Sequence, residues 1–296
     1  MNLSKEPEQE INDLTIIMPA YNEATGIEKV LSRLQDAMKD ADFPWEILVV
    51  DDGSTDGTSE IVKKSGVKTI SHAENRGYGA ALKTGVHSIK TKWFAIIDAD
   101  GTYPETELLN LSRYMDESDM IIGSRTGNSV HIPLVRRPAK AFITSLASYV
   151  SGRKIPDLNS GLRLMRREVV LKYIRLLPDG FSFTSTISIA MIVDGYRVKY
   201  IPIDYHHRKG KSKIRPIYDT LNFMSLIVRT IMYFRPLRVF FPFSLFLLLA
   251  GIIVLFGSYF VTGRIMDSTS AVLIMTSVQT LAMGLLAELI VRRTSS

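Results

Sequence analysis

Trp93-Phe94-Ala95-Ile96-Ile97-Asp98-Ala99-Asp100-Gly101 decides how the chain reads. Five apolar residues run straight into two carboxylates set one residue apart. The run reads as a buried strand, with Asp98 and Asp100 leaving its end. Packing gives no reason for the acids, because burying an unpaired carboxylate is very costly. A hard divalent cation does, since Mg²⁺ takes one or two carboxylates together with substrate phosphates. Open α/β sheets bind ligands just outside the carboxyl ends of their strands. Two readings compete here: a metal–diphosphate site, and a polar turn that caps the next helix.

Upstream of this stretch, apolar runs alternate with helical spacing. Leu14–Met18, Glu46–Val50 and Val67–Ser71 read as strands. Ala24–Lys39, with Ile27, Val30, Leu31 and Leu34 on one face, reads as a helix, as do Asp56–Lys64 and Gly79–Ile89. Downstream, Pro104–Met115 reads as a helix with proline in its first turn, and Asp119–Ile122 as a fifth strand. This βαβ alternation predicts an α/β fold, a doubly wound and mostly parallel sheet with helices on both faces.

Four polar loops leave the carboxyl ends of these strands: Pro19-Ala20-Tyr21-Asn22-Glu23, Asp51-Asp52-Gly53-Ser54-Thr55-Asp56-Gly57, Asn75-Arg76-Gly77-Tyr78-Gly79-Ala80 and Asp98-Ala99-Asp100-Gly101. Each alone is also ordinary turn chemistry, and Asp56 suits a helix cap. Together they line one sheet edge with acids, glycines and an aromatic ring, as a nucleotide crevice requires. No Gly-x-Gly-x-x-Gly follows the first strand and no Gly-x-x-x-x-Gly-Lys-Ser/Thr occurs, so neither a Rossmann dinucleotide site nor a P-loop is expected.

The chain has 296 residues, 46% of them hydrophobic, and no cysteine. It can bury a substantial core without disulfides, thiolate metal sites or a cysteine nucleophile. Met1 to Asp13 is a polar, acidic tail with no apolar h-region, so no secretory signal is expected. The net charge of +6 is concentrated: residues 206–238 hold eight Lys/Arg against Asp219 alone. A basic segment beside apolar blocks argues for an anionic membrane surface or a phosphate ligand and against nucleic acid.

Two apolar blocks close the chain. Val239 to Thr262 is 24 residues without a charge, and Ser268 to Ala287 is a second uncharged block. As helices over 239–262 and 268–291 they predict a transmembrane hairpin, since a bilayer core of roughly 30 Å needs about 20 apolar residues. A buried soluble hairpin is the alternative. Arg235 and Arg238 precede the first block and Arg292 and Arg293 follow the second, against Arg264 alone between them. The positive-inside rule puts both ends, and the catalytic domain, on the cytoplasmic side of the membrane. Gly251 and Gly257 admit close helix packing and hence a homo-oligomer. Residues 214–238 are a juxtamembrane segment in which Ile214 to Tyr233 reads as an amphipathic helix at the interface, or as core.

The ordered set Pro19-Ala-Tyr-Asn-Glu23, Asp51-Asp-Gly-Ser-Thr-Asp56, Asn75-Arg-Gly77 and Asp98-Ala-Asp100 resembles the family-2 inverting glycosyltransferases. More narrowly it is similar to the branch of dolichol-phosphate mannose synthase and bacterial polyprenyl-phosphate glycosyltransferases. That branch shares Gly123-Ser124-Arg125, Asp157-x-x-Ser160-Gly161-x-Arg163 and a basic stretch such as His206 to Lys213 before membrane helices. The resemblance covers residues 14 to about 235. It implies a GT-A-like glycosyltransferase domain over 14–213.

The same resemblance implies roles for the loop residues. Tyr21, Glu23 and Asp51 would contact the nucleoside of a nucleotide-sugar donor, with Pro19, Asp52 and Gly79 in the same pocket. Asp98 and Asp100 would hold Mg²⁺ or Mn²⁺ on the donor diphosphate. Some relatives supply a further ligand at the position of Thr102, a poor one here. The acceptor would be a polyprenyl phosphate, undecaprenyl or dolichyl. A phosphate monoester, with a second pKa of about 6, needs no general base. It needs cations to bring two phosphates together, and arginine forks suit that task. Arg125 leads, with Arg136, Arg137 and Arg208 as partners and Lys211 and Lys213 at the membrane surface. Asp157 would orient the acceptor or act as a base, or merely form an Asx turn beside Pro156.

Phe181, Phe183 and Tyr149 are expected in core or membrane-facing surface, and His206 and His207 on the surface. Two rivals stay open: transfer to a lipid or sugar hydroxyl, and a catalytically silent membrane scaffold. Processive hydroxyl-directed members usually carry Gln-x-x-Arg-Trp, which is absent here, and both tryptophans, Trp45 and Trp93, lie early.

Overall fold

A computed structural model describes residues 14–126, 144–145, 148–149, 152–180, 182–206, 232–233, 235–263 and 267–294. The chain divides into two compact units, residues 1–219 and 220–296.

The first unit is a seven-stranded sheet. β1 (Leu14–Ala20), β2 (Trp45–Asp51) and β3 (Lys68–Ser71) alternate with α1 (Ile27–Ala37), α2 (Thr58–Lys64) and α3 (Tyr78–Ser88). Then come β4 (Trp93–Ile96), α4 (Glu107–Ser112), β5 (Met120–Ser124), β6 (Arg163–Arg166), α5 (Arg167–Tyr173), α6 (Phe183–Val193) and β7 (Val198–Pro202). The strand order is β3-β2-β1-β4-β6-β5-β7. β1 pairs in parallel with β2 on one side and β4 on the other, and every residue of β1 is buried, as suits a central strand. The chain leaves β1 toward β2 and returns from β3 to β4, so the order reverses between β1 and β4. The crevice of a doubly wound sheet opens at such a switch point.

The α/β alternation holds through β4 with end shifts of a few residues. α1 buries Ile27, Val30, Leu31 and Leu34, the face its spacing predicts. Two features depart from expectation. α4 spans Glu107–Ser112, not Pro104–Met115, because both flanks are short turns: Glu107 N–H donates to Pro104 O at 3.1 Å and Met115 N–H to Ser112 O at 3.0 Å. The Arg33–Glu105 ion pair at 2.8 Å and the burial of Tyr103 hold the entry turn. The second departure is β6, which inserts antiparallel between β4 and β5. It places Arg163 opposite Ile96, the last residue of β4, and Ile122, two residues before the end of β5.

The second unit is a hairpin of α7 (Leu237–Thr262) and α8 (Asp267–Thr294). Both are long and apolar enough to cross a membrane. Their shared seam is lined by small residues: Ser244, Ser270 and Ser277 are buried, and Ser277 Oγ donates to Ser244 O at 2.8 Å. A β-carbon on Gly251 would meet Ile274 at 2.9 Å, so that glycine serves the hairpin itself, whereas Gly257 has open space around it. The outer faces carry Phe246, Ile253 and Phe260, at 64%, 70% and 81% exposure. Bare apolar side chains on that scale suit lipid rather than water.

Candidate active site

The loops after β1 and β2 are stitched together by hydrogen bonds. Asn22, in the left-handed region at φ 56°, donates its N–H to Ser54 Oγ at 3.0 Å and accepts from Thr55 N–H at 2.8 Å. Asparagine tolerates that backbone better than most residues. Glu23 N–H donates to Thr58 Oγ1 at 2.9 Å, and Asp56 accepts from Ala24 N–H and from Thr58. Burial works against the Asp56 anion, but the hydrogen bonds from Thr58 and Ala24 win and hold its carboxyl below the usual range.

Pro19 is buried at the end of β1, Tyr21 is 38% exposed at the mouth, and Glu23 lies partly buried between them and α1. Asp51, at the end of β2, accepts from Ser54 N–H at 3.1 Å and from the Ser59 hydroxyl. Asp52 turns away from the mouth. Its carboxylate accepts from Arg76 N–H at 3.0 Å and Gly77 N–H at 2.8 Å and meets His72 Nδ1 at 2.7 Å. It therefore braces the 75–77 loop.

Gly79 lies against residues 178–180. A β-carbon there would collide with the Pro178 carbonyl and approach Asp179 C at 2.8 Å, and Ala80 N–H donates to Asp179 O at 3.0 Å. The close approach of 178–180 accounts for this glycine by itself.

Asp98 and Asp100 stand at the end of β4, both partly buried. Tyr78 Oη donates to Asp98 Oδ1 at 3.0 Å. Asp100 Oδ1 accepts from Thr102 N–H at 3.1 Å and Thr102 Oγ1 at 2.6 Å. Thr102 is buried and orients Asp100. Gly161 forms the wall facing Asp98: a β-carbon there would lie 2.6 Å from Asp98 Oδ2. Two oriented carboxylates fit a hard cation that draws its remaining ligands from a diphosphate and water. Among the described residues no cluster of three or more acids or histidines could hold a metal by itself.

Across from the acid pair lies Arg125, just past β5. Its Nε donates to Asp157 Oδ2 at 2.7 Å, its Nη2 to Asp157 Oδ1 at 2.9 Å, and its N–H to Oδ2 at 3.0 Å. Asp157 is wholly buried, and Arg125 keeps 20% of its side chain exposed. Burial disfavours the Arg125 charge, but its hydrogen bonds to the Asp157 carboxylate outweigh that and its pKa rises. The Tyr205 ring lies 5.3 Å from Arg125 Cζ and packs edge-on against Tyr103 at 5.1 Å. Tyr103 Oη accepts from Gly161 N–H at 2.6 Å. Burial drives the Tyr103 and Tyr78 hydroxyls far up in pKa, so both remain protonated.

The structure thus brings Asp98, Asp100, Arg125 and Asp157 into one framework around Tyr103 and Gly161, with Tyr21, Glu23 and Asp52 on the loops after β1 and β2. Asp157 also forms the Asx contact, accepting from Asn159 N–H at 3.3 Å. Phe183 is core, Tyr149 is 58% exposed and His206 is exposed. Arg136, Arg137, Arg208, Lys211, Lys213, Phe181 and His207 lie outside the described residues. Sequence reading assigned no role to Tyr78, Tyr103, Arg163 or Tyr205. Tyr78 lies within the third polar loop, Tyr103 follows the fourth, and Arg163 ends the Asp157-x-x-Ser160-Gly161-x-Arg163 motif, and those positions were the available signal.

Residues 15–174 match the Glycosyl transferase family 2 domain, and residues 235–292 match the GtrB C-terminal hairpin. A dolichyl-phosphate hexose transferase of Haloferax volcanii is 32% identical over 211 residues, covering 71% of this chain and 90% of that protein. An undecaprenyl-phosphate 4-deoxy-4-formamido-L-arabinose transferase of Photorhabdus laumondii is 25% identical over 300 residues, covering 96% and 90%. Among solved structures, glucosyl-3-phosphoglycerate synthase of Mycobacterium tuberculosis with Mn²⁺, UDP-glucose and phosphoglyceric acid superposes with a TM-score of 0.58. The match is 18% identical and covers 74% of this chain and 80% of that one, a likeness of fold.

Proposed function

The chain belongs to glycosyl transferase family 2, and on that premise we propose that it transfers one sugar from a UDP- or GDP-linked donor to a polyprenyl phosphate at a membrane, with inversion. The observation that carries this reading is the Arg125–Asp157 fork beside the Asp98–Asp100 pair. Both Asp157 oxygens face the arginine, so Asp157 serves as an orienter and makes a poor general base. An acceptor hydroxyl would need such a base; a phosphate monoester, mostly dianionic at neutral pH, needs a cation. The named relatives, which act on dolichyl and undecaprenyl phosphate, support the same acceptor class.

Tyr21, Glu23 and Asp51 receive the nucleoside, where carboxylates accept from a base N–H or ribose hydroxyl. Asp52 and Gly79 contribute by fixing the 75–80 loop behind that pocket. Asp98 and Asp100 hold Mg²⁺ or Mn²⁺, which when bound offsets the charge gathering on the leaving diphosphate. Arg125 draws the acceptor phosphate toward the donor. One phosphate oxygen attacks the anomeric carbon, the bond from that carbon to the diphosphate oxygen breaks, and the nucleoside diphosphate leaves with the electron pair. No proton moves in that step. Arg136, Arg137, Arg208, Lys211 and Lys213 join Arg125 in this reading as further cations for the lipid phosphate. The hairpin anchors the enzyme, with catalytic unit and both chain ends on the cytoplasmic side.

The test is transfer from labelled UDP- and GDP-sugars to undecaprenyl and dolichyl phosphate in detergent, with Mn²⁺ or EDTA. A metal-dependent, organic-extractable sugar-lipid is expected. Asp100→Ala should cut transfer by about 10³-fold, the scale of losing an electrostatic stabiliser of the leaving group, and leave thermal stability near wild type. Labelling of a hydroxyl acceptor but neither lipid phosphate would overturn the reading.

A further inference from the structure

Arg163 is the largest wholly buried side chain among the described residues, and it is charged. Its hydrogen-bond partners are neutral. Nε and Nη2 both donate to Ser160 O, at 3.1 and 2.5 Å, and Nη1 donates to Thr184 O at 2.8 Å and Ser188 Oγ at 2.9 Å. Among the described residues it makes no ion pair. Burying an unpaired charge is costly, and a core strand position is ordinarily filled by an apolar side chain. The placement of those bonds suggests what the charge is for. Ser160 O belongs to the loop that runs from Asp157 to Gly161, and Thr184 and Ser188 belong to the first two turns of α6. Ser185 Oγ adds a parallel bond to Asn159 Oδ1 at 2.9 Å. The pinned loop carries Asp157, which forks Arg125, and Gly161, which walls Asp98. A planar guanidinium with five N–H donors can grip a carbonyl with two of them and still reach a second element.

We propose that Arg163 is a positioning residue: it pins the Asp157–Gly161 loop to α6, so that Asp157 presents Arg125 to the acceptor phosphate at a fixed place. This rests on the reading of Arg125 as the acceptor contact. Asp98 has its own support from β4 and Tyr78, so the donor side depends less on the pin.

A double-mutant cycle on the full chain tests it, with Arg163→Met, Arg125→Ala and the double variant. The readouts are acceptor KM, kcat, and titration of Mn²⁺ with UDP or GDP. Arg163→Met is expected to lower kcat/KM for the lipid phosphate by about 30-fold, while the Mn²⁺–nucleotide Kd stays within about 3-fold. The double variant should be no more than about 3-fold worse than Arg125→Ala, because two residues acting through one contact are not additive. Arg163→Lys, which keeps the charge and part of the grip, should recover much of the loss. Additive losses, or donor binding failing in step with transfer, would overturn the inference. So would failure of both Arg163 variants to fold, since that makes the residue core alone. An Arg125→Ala variant with unchanged acceptor KM would instead break the acceptor reading beneath it.

Discussion

Asp51, Asp52 and Asp100, on the loops after β2 and β4, are held by neutral hydroxyl and N–H donors and, for Asp52, by His72. Asp157, on the far side of the same sheet edge, is held by Arg125 through three bonds, two from its guanidinium and one from its backbone N–H. The two arrangements lead to different chemistry. A carboxylate oriented by hydroxyls and amides keeps its negative charge for a cation. A carboxylate locked to arginine is already neutralised and works as a handle on its partner. On the proposed reading, the first half of the sheet serves the metal and donor, and the second half aims a cation at an incoming anion.

Asp157→Asn attacks the second arrangement most directly. It should cost about 3 kcal/mol of stability, the scale for stranding one member of a buried pair. Chemical denaturation measures it, and a loss below about 0.5 kcal/mol, the size of an ordinary surface change, would erase the contrast. Gly79→Ala probes the seam where the two halves meet, because its methyl would drive against the Pro178 carbonyl. About 2 kcal/mol is expected, as for other overpacked sites, read as a fall in melting temperature. Asp119→Asn sharpens the comparison from outside the site. Asp119 also pairs with arginines, Arg166 at 3.3 Å and Arg197 at 3.2 Å, but Arg197 is 57% exposed. About 1 kcal/mol is expected at neutral pH, because charge-assisted bonds near solvent are worth little more. Burial alone would raise the Asp119 pKa, but hydrogen bonds from Arg197 win and lower it below 3.8. A carboxyl depressed on folding stabilises above its unfolded pKa and loses that contribution as pH falls through the folded value. The gap between Asp119→Asn and wild type should therefore persist at neutral pH and close below about pH 4 in acid titrations.

The first half of the sheet was legible because β1, β2 and β4 are apolar runs cut off by polar loops, and their register follows from chain order. β6 was not. Arg163-Leu164-Met165-Arg166 offers four residues bounded by charges, and nothing in that pattern announces a buried antiparallel strand. Asp98, Asp100 and Arg125 stood out as charges at strand ends. The tyrosines did not, since Tyr103 meets Gly161 across 58 residues and Tyr78 meets Asp98 across 20. Aromatic hydroxyls take their roles from whatever the fold brings near them. Asp52 and Gly79 were legible as site neighbours, but their bracing of the loop required the positions of His72 and of residues 178–180.

The contact between 178–180 and the start of α3 bears on where the diphosphate of the proposed donor finds its counter-charge. In many nucleotide folds the positive end of a helix dipole, with its unsatisfied N–H groups, faces the phosphates. Here Ala80 N–H is spent on the Asp179 carbonyl, and Gly77 and Gly79 let that peptide sit where an anion would otherwise lie. The α3 macrodipole is thus plugged by the protein's own backbone. On the proposed reading, neutralisation of the donor then falls to a divalent cation at Asp98 and Asp100, so donor capture as well as turnover is expected to follow free divalent metal.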